Sequence, residues 1–349
     1  MSQPGPVPLS VLDLAPVLDG RTTADALHDS VALARAAEEL GYHRYWVAEH
    51  HNAPGAASSA PAVLIGQIAA ATSRLRVGSG GVMLPNHAPL VVAEQFGTLS
   101  AFHPGRIDLG LGRAPGTDPV TAQALRRAAG PLAGGDFPRQ AVELLGYFDG
   151  PQDDAAAGVR AVPAEGNRPE VWVLGSGLGS AELAGSLGLP FAYAHQFNAE
   201  LTVPALRAYR EAFRPSAVLE RPYALVAAFV LAAETDEEAD LLAGPIRVAA
   251  IRTVRAGGRQ NAYPTLAEAQ AYEYSAHDRQ IVDGFLGRQV IGGRAEVRRR
   301  VADLIAAGAD EFMAMTVAPD FDTRLASYRI LAEEVAALGS GPLAGARRG

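Results

Sequence analysis

Short runs rich in valine, leucine and isoleucine alternate along the chain with alanine-rich stretches of helical periodicity, and glycine or proline usually marks the change. Such runs predict buried β-strands, whereas the periodic stretches predict amphipathic helices. The predicted strands span residues 9–14, 45–49, 75–84, 107–112, 170–175, 191–194, 223–232 and 312–317. Helical patterns separate nearly every pair of these strands.

Strands that alternate with helices are typical of a parallel sheet. Eight such units in 349 residues predict one α/β domain, a (β/α)8 TIM barrel over residues 1–349, although the length alone also permits two smaller domains. Residues 255–290 are polar, aromatic and irregular, and we interpret them as an insertion above the barrel mouth. Residues 339–349 are rich in alanine, glycine and arginine and are predicted to form a flexible tail.

The composition is that of a water-soluble globular protein, with 48% hydrophobic and 19% charged residues. A net charge of -8 argues against a nucleic-acid surface, which needs clustered positive charge. The first residues lack a basic start followed by an apolar stretch, and no apolar run approaches the length that crosses a bilayer. We therefore expect a cytoplasmic protein without membrane contact.

Two residue types are missing from the sequence, cysteine and lysine. The lack of cysteine excludes disulfides, thiolate metal sites and cysteine nucleophiles. The lack of lysine excludes Schiff-base chemistry and the lysine of a Walker-type phosphate loop. Any bound anion must therefore be held by arginine, backbone amides or hydroxyl groups.

The second predicted strand ends in a cluster of polar residues, Glu49, His50, His51 and Asn52. In a parallel barrel the active site forms from the loops after the strands, so these residues are functional candidates by position. A structural pair between Glu49 and His51 is the alternative. A metal site is a further rival, but adjacent strand residues point to opposite faces. A single histidine that donates or accepts a proton fits this pattern better.

Two glycines interrupt the third strand, and polar residues follow the third and fourth strands. Gly80 and Gly81 indicate either a flat ligand close to the backbone or tight barrel packing. His87 follows at the exit of the third strand. Arg113, after the fourth strand, could fork onto two phosphate oxygens, and a surface salt bridge is the alternative.

The stretch VWVLGSGLGSA runs from the fifth strand into a helix. Backbone amides at a helix start, together with the hydroxyls of Ser176 and Ser180, make an anion site beside Gly177. The stretch also resembles a dinucleotide-binding GxGxxG motif. However, Ser180 replaces the last glycine, and no acidic residue ends the next strand to bind a ribose. A phosphate site is therefore the better interpretation.

Five segments together resemble the luciferase-like monooxygenase family, whose members use reduced flavin or a deazaflavin. The segments are PLSVLDLAPV, YWVAEHHN, RVGSGGVMLPNHAPLVVAEQF, HPGRIDLGLGRAPGTDP and VWVLGSGLGSAELAGSLGLPFAYAH, in this order. The resemblance covers nearly the whole chain and is strongest over residues 8–127. It implies a TIM barrel with an insertion after the seventh strand and FMN at the mouth.

The resemblance also implies roles for individual residues. The family's non-proline cis peptide, against which the flavin ring leans, would fall at Gly80 and Gly81. His50 would assist the chemistry beside the flavin. The phosphate would be held by Arg113, Ser176, Gly177 and Ser180. His195 matches a frequent feature of the non-luminescent members and is a candidate for the substrate pocket. Glu49 and His87 are further pocket candidates from their position at the barrel mouth. Gly112 stands where light-emitting members carry a cysteine, so luminescence on an aldehyde is not expected.

The resulting hypothesis is a monooxygenase that takes reduced FMN from a separate flavin reductase and uses dioxygen to oxidise a small organic substrate. One alternative is a deazaflavin-dependent dehydrogenase on the same barrel. Another is a catalytically silent flavin-binding subunit, and a metal hydrolase comes last. The resemblance also implies a homodimer formed through barrel helices.

Overall fold

The computed structural model describes residues 7–114, 116–125, 137–149, 158–257 and 261–340. Within these ranges the strands are β1 (Leu9–Asp13), β2 (Arg44–Val47), β3 (Arg76–Met83), β4 (Ile107–Gly112), β5 (Glu170–Gly175), β6 (Phe191–Ala194), β7 (Ala224–Ala233), β8 (Val290–Gly293) and β9 (Glu311–Met315). The α-helices are α1 (Thr23–Glu39), α2 (Pro61–Ala71), α3 (Pro89–Phe102), α4 (Pro119–Leu125), α5 (Phe137–Asp149), α6 (Leu178–Ser186), α7 (Thr202–Ala212), α8 (Asp236–Leu242), α9 (Gly244–Arg255), α10 (Leu266–Gln270), α11 (Ala276–Leu286), α12 (Arg294–Ala306) and α13 (Phe321–Ser340). The predicted flexible tail lies outside the described residues from position 341 onward.

Eight parallel strands close into a barrel. Strands β1 to β7 pair in chain order, and β9 lies between β7 and β1. This arrangement confirms the predicted (β/α)8 fold. Strand β8 is additional to the barrel and pairs in parallel with residues 230–233, the last part of β7.

The barrel strands lie where the hydrophobic pattern predicts them. The bounds of β4, β5 and β6 match the prediction, and the other five barrel strands differ from it by at most two residues at either end. The difference at β2 affects the site, because this strand ends at Val47, so that Glu49 lies in the following loop. Strand β8 was missed; it begins at Val290, the last residue of the segment interpreted as an irregular insertion, and ends at Gly293.

The segment between β7 and β9 covers part of the barrel's carboxyl end. In the stretch after β1, the carbonyl of Val17 accepts from the backbone N–H of Tyr263 (3.1 Å), and the N–H of Asp19 donates to the carbonyl of Tyr263 (2.8 Å). The side chain of Gln289 accepts a hydrogen bond from the backbone N–H of Phe229 in β7 (3.1 Å). An apolar cluster that includes Phe229, Leu286 and Val317 lies beneath these contacts. The insertion is therefore packed on the strand ends.

The opposite, amino-terminal end of the barrel is closed by buried charges. The guanidinium of Arg44 donates hydrogen bonds to Asp108 (2.9 Å) and Glu311 (3.0 Å), and it lies 4.6 Å from the ring centre of Trp172. Both carboxylates are fully buried. Buried charges are tolerated when each has partners of opposite sign, so this network closes that end with its charges paired.

Among the described helices, none combines the length and the apolar character that crossing a lipid bilayer requires.

Candidate active site at the carboxyl ends of the strands

The loop after β2 carries the densest group of titratable side chains. Glu49 is 1% exposed, whereas His50 and His51 are half-buried. The backbone N–H of His50 donates to the carbonyl of Ser58 (2.9 Å), and Asn52 adopts a positive φ of 52°. The chain therefore turns sharply after Glu49, which frees consecutive side chains from the alternation of a strand.

The carboxylate of Glu49 accepts three hydrogen bonds. Its Oε1 atom lies 2.8 Å from Nε2 of His51 and 2.8 Å from Nε2 of His87. Its Oε2 atom accepts from the backbone N–H of Met83 at 3.0 Å. These donors come from the β2 loop, the end of β3 and the turn after β3. One buried group thus connects three segments of the rim.

These hydrogen bonds keep the carboxylate ionised. Burial is the largest influence and would raise the pKa of Glu49. The hydrogen bonds from His51 and His87 outweigh burial and lower the pKa of Glu49 to about 2. The group is therefore negatively charged at neutral pH.

Glu49, His51 and His87 together offer three possible metal-ligand atoms within 4.8 Å of one another. This set differs from the rival in the sequence analysis, which paired adjacent histidines. The two N–O distances of 2.8 Å are ordinary hydrogen-bond lengths, and the second carboxylate oxygen is already occupied by Met83. The geometry therefore favours a hydrogen-bonded cluster over a metal centre.

His50 does not take part in that cluster. Burial lowers the pKa of His50 below its ordinary value, which favours a neutral ring at neutral pH. Its Nδ1 atom is buried and has no hydrogen-bond partner among the described residues. A neutral imidazole with a free nitrogen at a barrel mouth can accept or donate a proton.

The peptide bond between Gly80 and Gly81 in β3 is cis, as the resemblance implied. Both positions are too crowded for a side chain. A Cβ atom on Gly80 would lie 2.6 Å from Leu12, and one on Gly81 would lie 2.7 Å from the carbonyl oxygen of Gly110. The end of β3 therefore presents bare backbone, and close packing and access for a flat ring are both consistent with it.

The loop after β4 carries Arg113. This side chain is exposed, and no hydrogen bond or ion pair with another described residue holds its guanidinium. The same loop is fixed against the β2 loop, because Thr117 donates to the carbonyl of His51 (2.7 Å). Gly116 has a positive φ of 65°, and a Cβ there would lie 2.7 Å from the carbonyl oxygen of Glu49. A free guanidinium is thus carried on a loop anchored to the Glu49 cluster.

Helix α6 begins directly after β5, which neighbours β4 in the barrel. Its N-cap residue is Gly177, which supplies no side-chain hydrogen bond to the free amides of the first turn. The space where side chains of Gly177 and Gly179 would lie is open. Ser176 is half-buried, and the hydroxyl of Ser180 donates to the carbonyl of Gly177 (2.9 Å). The helix start is therefore accessible to an anion.

His195 follows β6 and is bound on both ring nitrogens. Its Nδ1 atom lies 2.8 Å from the hydroxyl of Thr202, and its Nε2 atom lies 3.0 Å from the carbonyl oxygen of Arg288. Because a carbonyl can only accept, Nε2 carries the proton. The structure thus places this predicted pocket residue between β6 and the insertion.

The structure brings some predicted residues together and adds others. Glu49 and His87 share a hydrogen bond, whereas His195 belongs to a separate group of contacts. The sequence analysis named His51 as a functional candidate by position or a structural partner of Glu49, and it did not single out Gln196. The Oε1 atom of Gln196, at the end of β6, is buried without a partner among the described residues. A polar residue directly after a strand was the only sequence signal for it.

Comparison with known proteins assigns the family. The profile described as "Luciferase-like monooxygenase" matches residues 8–311. A luciferase-like monooxygenase of Escherichia coli (strain K12) is 44% identical over 326 residues, which cover 93% of this chain and 96% of that protein. The N-acetyl-S-alkylcysteine monooxygenase of Bacillus subtilis (strain 168) is 40% identical over 269 residues, 76% of this chain and 78% of that protein.

A solved structure agrees with these relatives. The crystal structure of apo-MsnO8 is 39% identical in sequence, covers 94% of this chain and 98% of its own, and superposes with a TM-score of 0.86. The region matched by the profile includes strands β1 to β7 and all the candidate residues at the barrel mouth. The chain belongs to the luciferase-like monooxygenase family and is an oxidoreductase that uses molecular oxygen.

Proposed function

We propose that the protein is the oxygenating component of a two-component system, which takes reduced FMN from a separate flavin reductase and oxidises a small organic substrate with dioxygen. The observation that carries this proposal is the bare backbone of Gly80 and Gly81 at the barrel mouth, at the same end of the barrel as His50, whose buried Nδ1 has no partner among the described residues. The reduced flavin would supply the electrons that activate dioxygen.

The residues present fit a phosphorylated flavin. The guanidinium of Arg113 has no partner among the described residues, and the first turn of α6 has free amides without a side-chain cap. Strands β4 and β5, which lead to these two features, are neighbours. We propose that Arg113, Ser176, Gly177 and Ser180 hold the phosphate.

His50 is the proposed proton donor and acceptor at the flavin. Burial keeps its ring neutral, and its free Nδ1 can accept a proton from the substrate or return it. Glu49 has a different role from its neighbour, because three protein donors occupy its carboxylate. Glu49 would therefore fix the rim around the substrate, while His87 and His195 remain pocket candidates on that rim.

The insertion packed on the strand ends would exclude water from the reaction. Because a relative is an N-acetyl-S-alkylcysteine monooxygenase, we take a thioether of an acylated amino acid as the first substrate class to test.

The deazaflavin alternative does not need oxygen, because hydride transfer to or from a deazaflavin proceeds anaerobically. Turnover that stops when oxygen is removed would favour FMN chemistry. A cytoplasmic location stays a prediction from the sequence.

Arg113→Leu should weaken FMN binding by about 10- to 100-fold, because a charge-assisted hydrogen-bond pair to the phosphate is lost. Riboflavin, which has no phosphate, should bind the variant and the parent protein equally. Fluorescence titration with both flavins measures this difference. Arg299→Leu is the matched control, because Arg299 forms surface ion pairs on α12. An unchanged FMN affinity in Arg113→Leu would exclude this arginine from the phosphate site.

His50→Ala should lower substrate turnover by about 10²- to 10⁴-fold, the usual contribution of a positioned acid or base, and leave FMN affinity unchanged. Product formation from N-acetyl-S-methylcysteine with photoreduced FMN and oxygen measures turnover. His28→Ala, on the exposed face of α1, is the control. Equal turnover in His50→Ala and the parent would remove His50 from the chemistry.

Glu49→Gln should destabilise the fold at pH 7 by about 3 kcal/mol, because the parent carboxylate has a pKa of about 2 instead of 4.5. A depressed pKa contributes stability above the unfolded-state value and loses it as the pH falls. The difference between the two proteins should therefore narrow from pH 4.5 towards pH 2. Urea unfolding measures it at each pH where both proteins fold.

Glu165→Gln is the control for Glu49→Gln, because Glu165 forms a surface ion pair with Arg160. This control should be less destabilised than Glu49→Gln at every pH. A pH-independent difference for Glu49→Gln would contradict the proposed ionised carboxylate.

We also propose that the protein is a homodimer formed through α2 and α3. Helix α2 has no charged residue, Val63 on it is 72% exposed, and Phe102 at the end of α3 is 75% exposed. Val63→Glu should give monomers, because a two-fold interface would place two like charges near each other. Sedimentation velocity measures the change, with Val218→Glu, in the segment between α7 and β7, as the control. A monomeric parent protein would refute this proposal.

A further inference from the structure

The side-chain carbonyl of Gln196 has no hydrogen-bond partner among the described residues. Gln196 follows β6 at the open end of the barrel, in a turn closed by a hydrogen bond from the N–H of Phe197 to the carbonyl of Ala194 (3.1 Å). Its Oε1 atom is buried and has no partner among the described residues, and no described residue accepts a hydrogen bond from its amide nitrogen. The buried carbonyl of the carboxamide is therefore unsatisfied.

An unsatisfied buried amide is costly, so most such groups in folded proteins have a partner or a reason to lack one. Gln289 shows what a structural glutamine does in this protein. Its Oε1 atom accepts the backbone N–H of Phe229 at 3.1 Å, and its side chain is buried. The Oε1 atom of Gln196 forms no such hydrogen bond with a described residue, whereas the neighbouring His195 is hydrogen-bonded through both ring nitrogens.

The position of Gln196 indicates where its partner comes from. Its strand is in the same barrel as β2 and β3, so Gln196 lies at the same end as His50 and the Gly80–Gly81 peptide. His50 likewise has a buried ring nitrogen without a described partner. Two unsatisfied polar groups at one end of a barrel are typical of a ligand site.

We infer that Gln196 recognises a ligand by an amide-like edge, in which an N–H donor and a carbonyl acceptor lie side by side. A carboxamide pairs with such an edge because it offers one acceptor and one donor. This inference rests on the proposed function, because two molecules in the proposed reaction, the cofactor and the substrate, each have an N–H group beside a carbonyl group. One is the flavin ring, through its imide N–H and carbonyl groups. The other is an acylated amino acid, through its amide.

The first test uses the ligand-free protein. Gln196→Met retains the length of the side chain and removes its polar atoms, so it should raise the midpoint of thermal unfolding by about 2 °C or more. Gln289→Met is the matched control and should lower the midpoint, because it leaves the N–H of Phe229 unpaired. A lowered midpoint in Gln196→Met would show a structural role and overturn the inference.

The second test removes the ligand's N–H. Parent and Gln196→Met proteins are titrated with FMN and with FMN methylated at the imide nitrogen. The FMN-loaded proteins are then titrated with N-acetyl-S-methylcysteine and with its N-methylated form. The parent should bind one methylated probe about tenfold more weakly than its unmethylated form, and Gln196→Met should bind the two forms equally. The pair that shows the difference identifies the flavin or the substrate as the partner.

The two levels of the proposal can fail separately. If the parent protein does not bind FMN, the proposed function is wrong. If the parent binds FMN but Gln196→Met shows the same preference between methylated and unmethylated probes as the parent in both titrations, the inference about Gln196 is wrong and the proposed function stands.

Discussion

The buried carboxylate of Glu49 determines the arrangement of the barrel mouth. A fully buried negative charge is stable only if donors surround it, and here three donors come from three separate segments. Their hydrogen bonds fix the β2 loop against the end of β3 and the turn after it. The β4 loop joins the same assembly, because Thr117 donates to His51 and Gly116 packs on the carbonyl of Glu49.

This arrangement gives neighbouring residues different tasks. Glu49 and His51 are hydrogen-bonded to each other, whereas His50 between them has a buried ring nitrogen with no partner among the described residues. Burial then keeps the His50 ring neutral without a charged partner in hydrogen-bond contact. The rigid Glu49 cluster thus fixes the position of the reactive His50 beside it. Residues that contact a ligand are commonly held in place in this way by the hydrogen bonds of the residues behind them.

The sequence predicted the barrel better than it predicted the site. Runs of apolar residues located all eight barrel strands, because burial on both faces leaves a strong signal. Strand β8 was not predicted, because two of its four residues are glycines, Gly292 and Gly293, which interrupt the apolar pattern. The positions of polar residues after strands were readable, but the Glu49–His87 contact joins residues 38 apart and depends on strand register. The position of Gln196 after a strand could be read from the sequence, but its unsatisfied carbonyl could not, because hydrogen-bond partners appear only in three dimensions.

The two ends of the barrel differ in how their arginines are paired. At the amino end, Arg44 is surrounded by carboxylates and by the face of Trp172. At the carboxyl end, His50 and Gln196 have buried atoms without described partners, and Arg113 has no described counter-ion. Unpaired polar groups reduce stability, so a fold tolerates them where a ligand supplies the missing partners. The closed end provides a rigid base, and the open end retains free groups for cofactor and substrate.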